Sequence, residues 1–162
     1  MKQLSERGLL VADMLKDRQQ TVAVAESSTG GLISSSLLAV PGASAYFLGA
    51  TIIYTIEARR DLLGLSKETL KKQTPLSEGY VSLCAKQIRE TLHATWGIAE
   101  LGATGPAGTP YGHGPGICVL AVEGPVSLTH RIDNGSSDRE GKMEIFADAA
   151  IDLLRQAIEQ SA

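Results

Sequence analysis

The sequence predicts an α/β fold: three layers, α/β/α, around a mixed sheet of about five strands. Three observations predict it. Early β-patterned runs alternate with helical ones, the last two β-patterned runs follow each other across Gly124-Pro125, and helical stripes lie between and after them in numbers that can cover both sheet faces.

In chain order, Leu9, Leu10, Met14 and Leu15 recur at helical spacing and predict an amphipathic helix over 3–17. Thr21 to Ala25 is a short apolar strand. After a polar turn, GLISSSLLAV carries apolar residues at 32, 33 and 37 and reads as a helix halted by Pro41-Gly42. FLGATIIYT (47–55), rich in β-branched and aromatic residues, is a second strand. EARRDLLGL makes a short helix ending near Gly64, and Ser66 can cap another over 67–72, which Thr74-Pro75 breaks. From Ser77 to His93, the four-apart series Tyr80, Cys84, Ile88 and Leu92 forms the clearest helical stripe up to that point. Gly97 to Ala103 is a third strand. Residues 102–116 hold six glycines and three prolines in 15 positions, which neither a helix nor a central strand tolerates. Strands at 117–123 and 126–132 then form a hairpin. Ser137-Asp-Arg-Glu140 has capping-box spacing, with Ser137 at the cap, and opens a last helix with Met143, Ala147, Ala150, Leu154 and Ile158 on one face.

At 162 residues the chain has room for one domain, 1–162, with one continuous core, and neither repeats nor a long linker divides it. Hydrophobic residues at 43% and charged residues at 20% predict a folded protein rather than a disordered one. Net charge is −3, and the densest basic spots, Arg59-Arg60 and Lys71-Lys72, are too thin for a nucleic-acid footprint. No apolar run reaches the roughly 20 residues of a membrane helix, and MKQLSERGLL lacks the pattern of a signal peptide. Neither nucleic acid nor a membrane is therefore an expected partner, and a cytoplasmic location is expected. Cys84 and Cys118 lie far apart and read as buried reduced thiols. His93, His113 and His130 have no partner at ligand spacing, so no metal site is expected.

Two stretches could carry chemistry. In VAVAESSTGGLI (22–33) an apolar strand ends on a carboxylate, hydroxyls and two glycines, then feeds a helix. Backbone N–H groups at such a helix start are unpaired and suit an anion; the same residues also make a good helix cap and a tight turn. Spacing alone leaves both readings open. The turn is not a P-loop, because no lysine follows the glycines, and it lacks the G-x-S-x-G of a nucleophile elbow. Gly102-Ala-Thr-Gly105-Pro-Ala-Gly108 follows a strand, but its spacing is not that of a dinucleotide fingerprint. It is a loop at a strand end, where open α/β sheets place ligands.

Taken together, AESSTGG before a helix, VPGASAYFLGATIIYT, EARRDLLGL, a strand running into ATGPAG, and SSDRE before the last helix resemble the CinA C-terminal domain family nearly end to end. The resemblance implies a nicotinamide-nucleotide amidase, which hydrolyses the carboxamide of nicotinamide mononucleotide to nicotinic acid mononucleotide and ammonia. It also implies a homo-oligomer, no cofactor, and a small nucleotide as partner. Family members also occur fused behind a molybdopterin-binding-like domain, and the resemblance here is to the stand-alone form, which is the expectation for this chain. Carried over residue by residue, Ser27 becomes the nucleophile and Tyr54 sits beside the carboxamide. Ser28, Thr29, Gly30 and Gly31 hold the phosphate or oxyanion, with Thr104 and Gly105 contributing from the later loop. The family pattern after the tyrosine is Tyr-Ser-Asn-Glu-Ala-Lys, with the lysine as base; here it is Tyr54-Thr-Ile-Glu-Ala-Arg59. Arginine cannot serve as that base, since its pKa stays above about 12 in proteins. Glu57 is the nearest alternative base. The later loop also departs from the family pattern, with an extra proline and with Cys118 near the place of a threonine. Three readings follow: a working amidase, a feeble or dead relative that still binds a pyridine nucleotide, and a scaffold that keeps only the oligomeric fold.

Overall fold

Alternation along the strands sorts side chains into two cores, one on each face of a five-stranded sheet. The computed structural model describes residues 3–105, 107–110, 112, 114–133 and 138–162. The strands are β1 (Val22–Glu26), β2 (Phe47–Ile52), β3 (Trp96–Ala103), β4 (Ile117–Glu123) and β5 (Leu128–Asp133), in spatial order β2-β1-β3-β4-β5. β1 pairs in parallel with β2 and β3, while β3–β4 and β4–β5 are antiparallel, so the sheet is mixed as predicted. The helices are α1 (Leu4–Asp17), α2 (Leu32–Leu38), α3 (Ile56–Asp61), α4 (Lys67–Lys71), α5 (Glu78–Leu92) and α6 (Arg139–Gln160).

On one face Val22, Val24, Trp96, Ile98, Leu120 and Val122 pack against α1, α2 and α6. On the other, Ala23, Ala25, Ala99, Leu101, Val119 and Ala121 meet Tyr80, Val81, Cys84, Ala85 and Ile88 of α5. This second face is built of small residues because α5 lies close to it. A Cβ at Gly97 would fall 2.1 Å from the Ala85 carbonyl oxygen, so a side chain there would push the helix away. Strands covered on both faces show the near-continuous apolar runs seen in the sequence.

Local chemistry sets the element ends. β2 stops at Ile52, earlier than the run 47–55 suggested, and Tyr54 is 57% exposed. The Thr55 side chain accepts the Ala58 N–H at 3.1 Å and so starts α3. Ser66 and Ser77 cap α4 and α5. The cap of α6 is Asp138, which accepts the Gly141 N–H at 3.2 Å; a carboxylate suits the positive end of a helix as well as a serine does. Ser137, expected in that place, lies outside the described residues, as do Tyr111 and His113. Both cysteines are buried and free. Among the described residues no helix is long and apolar enough to cross a membrane.

Candidate functional site

The parallel strands β1 and β3 end side by side, at the sheet edge where their carboxyl termini meet the loops. In register, Glu26 stands opposite Glu100, and neither side chain has exposed surface. Glu26 turns back on the start of α2. Its Oε1 accepts the N–H groups of Gly31 (2.8 Å) and Ile33 (3.2 Å) and the Thr29 hydroxyl (2.7 Å). Its Oε2 accepts the Ser34 N–H at 3.0 Å and the Ser34 hydroxyl at 2.5 Å. Glu100 holds the turn itself: Oε2 accepts the N–H groups of Ser27 (2.9 Å) and Thr29 (3.1 Å) and lies 3.0 Å from the Thr29 hydroxyl. The Ser28 hydroxyl donates to Glu100 Oε1. Burial pushes the Glu100 carboxyl above its ordinary range, against the pull of the Ser28, Thr29 and Ser27 donors.

These bonds correct the expectation for the turn. The backbone donors of Thr29 and Gly31 are taken by the chain's own carboxylates, and the Gly30 N–H donates to the Ser27 carbonyl at 3.2 Å. Thr29, Gly30 and Gly31 border a separate groove, which Glu140, Met143 and Glu144 also line. Two carboxylates there oppose a phosphate. Of the two readings left open by spacing, the cap is the one built, with Glu26 as the anion.

The other expected residues converge on two adjoining cavities. The first, of about 390 Å³, is lined by Ser27, Tyr54, Glu57 and Arg59 among others. The second, of about 340 Å³, is lined by Ser28, Tyr54, Thr104, Gly105 and Arg139 among others. Tyr54, Gly102, Thr109 and Pro110 border both. Both volumes fall in the range of small-molecule sites.

Arg59 is tied down in the first cavity. Its Nε donates to the Ile53 carbonyl at 3.0 Å, a terminal nitrogen donates to the Tyr80 hydroxyl at 3.0 Å, and the guanidinium carbon lies 5.1 Å from the Tyr80 ring centroid. No lysine or histidine is among the described residues that line this cavity. Thr104 Oγ1 is buried without a hydrogen-bond partner among the described residues, an arrangement that costs free energy unless something fills it.

Glu100 entered no site reading of the sequence, and Arg139 entered only as part of SSDRE, where a cap and a surface charge explain the pattern equally well. A glutamate inside the otherwise apolar strand WGIAELGA was the available signal, because a buried carboxylate demands donors. In the structure Arg139 donates to the Gly105 carbonyl at 2.7 Å.

Comparison with known proteins converges on one group. The model of the CinA C-terminal domain matches residues 5–158. A CinA-like protein of Cyanothece sp. is 33% identical over 152 residues, covering 92% of this chain and 36% of that protein. One from Desulforapulum autotrophicum is 35% identical over 147 residues, 90% of this chain and 35% of that protein. The chain thus spans little more than a third of these curated relatives. Among solved structures, a competence-damaged protein (CinA) superfamily protein from Klebsiella pneumoniae superposes with a TM-score of 0.89 at 26% identity, covering 98% of this chain and 99% of that one. The competence/damage inducible protein CihA from Agrobacterium tumefaciens gives 0.87 at 26% identity, over 97% and 99%.

Proposed function

The chain belongs to the CinA C-terminal domain family, and from that premise we propose that its two adjoining cavities hold a pyridine mononucleotide such as nicotinamide mononucleotide, with carboxamide hydrolysis at Ser27 running near background. The observation that carries this reading is Arg59, fixed between the Ile53 carbonyl and the Tyr80 hydroxyl in the cavity that Ser27 lines. A serine needs a proton acceptor to attack an amide, and a guanidinium cannot be one. Loss of a general base typically costs a factor of about 10²–10⁴ in rate, which is roughly 3–5 kcal/mol of barrier.

Binding rests on different residues. Arg139 offers a planar cation for a phosphate. The Thr104 hydroxyl, buried without a partner among the described residues, favours a ligand over a bare scaffold. The expected partners are thus the nucleotide and, by family, a second copy of the chain.

Ammonia release from nicotinamide mononucleotide tests the catalytic half. The native chain stays near background, and Arg59→Lys gains about 10²-fold or more. Rapid turnover by the native chain, abolished by Ser27→Ala, refutes the lost-base reading. A thermal shift with the same nucleotide tests the binding half: a ligand specific for the folded state raises the midpoint, and none at millimolar nucleotide leaves only the scaffold.

A further inference from the structure

Glu100 is a fully buried ionisable group that the proposed function leaves without a part. Its two oxygens are divided between different tasks. Backbone donors, the Ser27 and Thr29 N–H groups, all go to Oε2 and shape the turn. Oε1 is left to the Ser28 hydroxyl, with the Cys118 thiol at a distant 4.0 Å. Ser28 in turn borders the second cavity, beside Thr104, Gly105 and Arg139. Gly102 keeps the place where the two side chains meet clear. A Cβ there would lie 2.4 Å from Ser28 Oγ and 2.7 Å from Glu100 Oε1. The chain therefore holds a hydroxyl bonded to a buried carboxylate, at a cavity wall, with a guanidinium on the same cavity.

We propose that Ser28 and Glu100 form a nucleophile–base pair that opens on the second cavity and acts on a small ester or amide carrying an anionic group for Arg139. The base that Ser27 lacks stands one residue further along. Ser28 Oγ attacks the acyl carbon while its hydrogen passes to Glu100 Oε1, and the carbonyl π pair moves onto oxygen. Collapse of the tetrahedral adduct breaks the bond to the alcohol or amine, which leaves with the proton from Glu100. Water then attacks the acyl-Ser28 ester, gives a proton to Glu100, and the acid is released as that proton returns to Ser28 Oγ. Burial raises the Glu100 carboxyl above its ordinary range, and the ionised group is then a stronger acceptor than an ordinary glutamate. The pair stands whether or not Ser27 turns over a nucleotide.

The test labels the protein with a fluorophosphonate, a phosphorus electrophile that captures activated serines, and locates the adduct by peptide mass spectrometry. The label is expected on Ser28 in the native chain, and at least about tenfold more slowly in Glu100→Gln. Glutamine keeps an oxygen for the Ser27 and Thr29 N–H groups and turns a donor to Ser28, so the turn survives while the base is lost. Should that variant fail to fold, the native chain decides: Ser28 labelling rises with pH as Glu100 ionises. The titratable groups shown beside Glu100 are Glu26 on β1 and the Cys118 thiol on β4. The thiol is held well above its usual range by burial and by Glu100, and does not contribute near neutrality. Label on Ser27 alone, no label at all, label on Ser28 indifferent to Glu100→Gln, or a pH-independent rate each overturns the proposal.

Discussion

Glu26 and Glu100 stand side by side on neighbouring strands, both without exposed surface. Two buried carboxylates are tolerable only because each meets a set of donors: three N–H groups and the Ser34 hydroxyl at Glu26, two N–H groups and the Ser28 hydroxyl at Glu100, with the one Thr29 hydroxyl hydrogen within reach of both. At Glu100, burial still outweighs the donors and raises the carboxyl. The sign of the linkage follows. A glutamate raised in the folded state stabilises fully below its unfolded pKa, and that contribution is lost as pH rises through the folded value. Unfolding free energies measured by denaturant at a series of pH values should therefore fall across that window in the native chain and fall less in Glu100→Gln. Superimposable profiles would falsify the assignment. The two thiols are inert for a related reason. Burial pushes Cys84 up to about 12 against the pull of nearby Arg59, and burial together with Glu100 holds Cys118 well above its usual range.

At the scale of elements, short helices and strand ends place the working side chains. Ser77 caps α5 by accepting the Tyr80 N–H at 3.2 Å. The same Tyr80 packs in the core beneath α5 and holds Arg59 by its hydroxyl. The cap thus supports both a helix and the wall of the first cavity. Ser77→Ala should cost about 1 kcal/mol of stability, read as a lowered denaturation midpoint with an unchanged slope. A midpoint equal to the native one would mean that water replaces the hydroxyl. The turn between β1 and α2 works differently. It is organised from within by Glu26, so the positive end of α2 is already neutralised before any ligand arrives.

For the whole molecule, one sheet supplies both cores, so they are expected to melt together. Trp96, the single tryptophan, is buried in the core beneath α1, α2 and α6, while α5 seals the opposite face. Leu154 is fully buried in the Trp96 core. Leu154→Ala should destabilise by about 2–5 kcal/mol through lost transfer energy and a cavity. Tryptophan fluorescence and far-ultraviolet dichroism should shift together in one transition. Separate midpoints for the two signals would show that the faces unfold independently.

Read by itself, the sequence determined the succession of strands and helices, the mixed sheet, the closing hairpin and the family. Each of these is carried by local patterns: the short apolar run of Val22–Glu26, the four-residue stripe from Tyr80 and the cap at Ser66. It also singled out Ser27, Tyr54 and Arg59, which share one cavity, and Ser28, Thr104 and Gly105, which share the next. Only the tertiary structure decided what occupies the turn. The pairing of β1 with β3 brings Glu100 under Ser27 and Ser28 from a distant part of the chain. No periodicity within either segment encodes that contact, because strand register is chosen by the whole sheet burying both its faces.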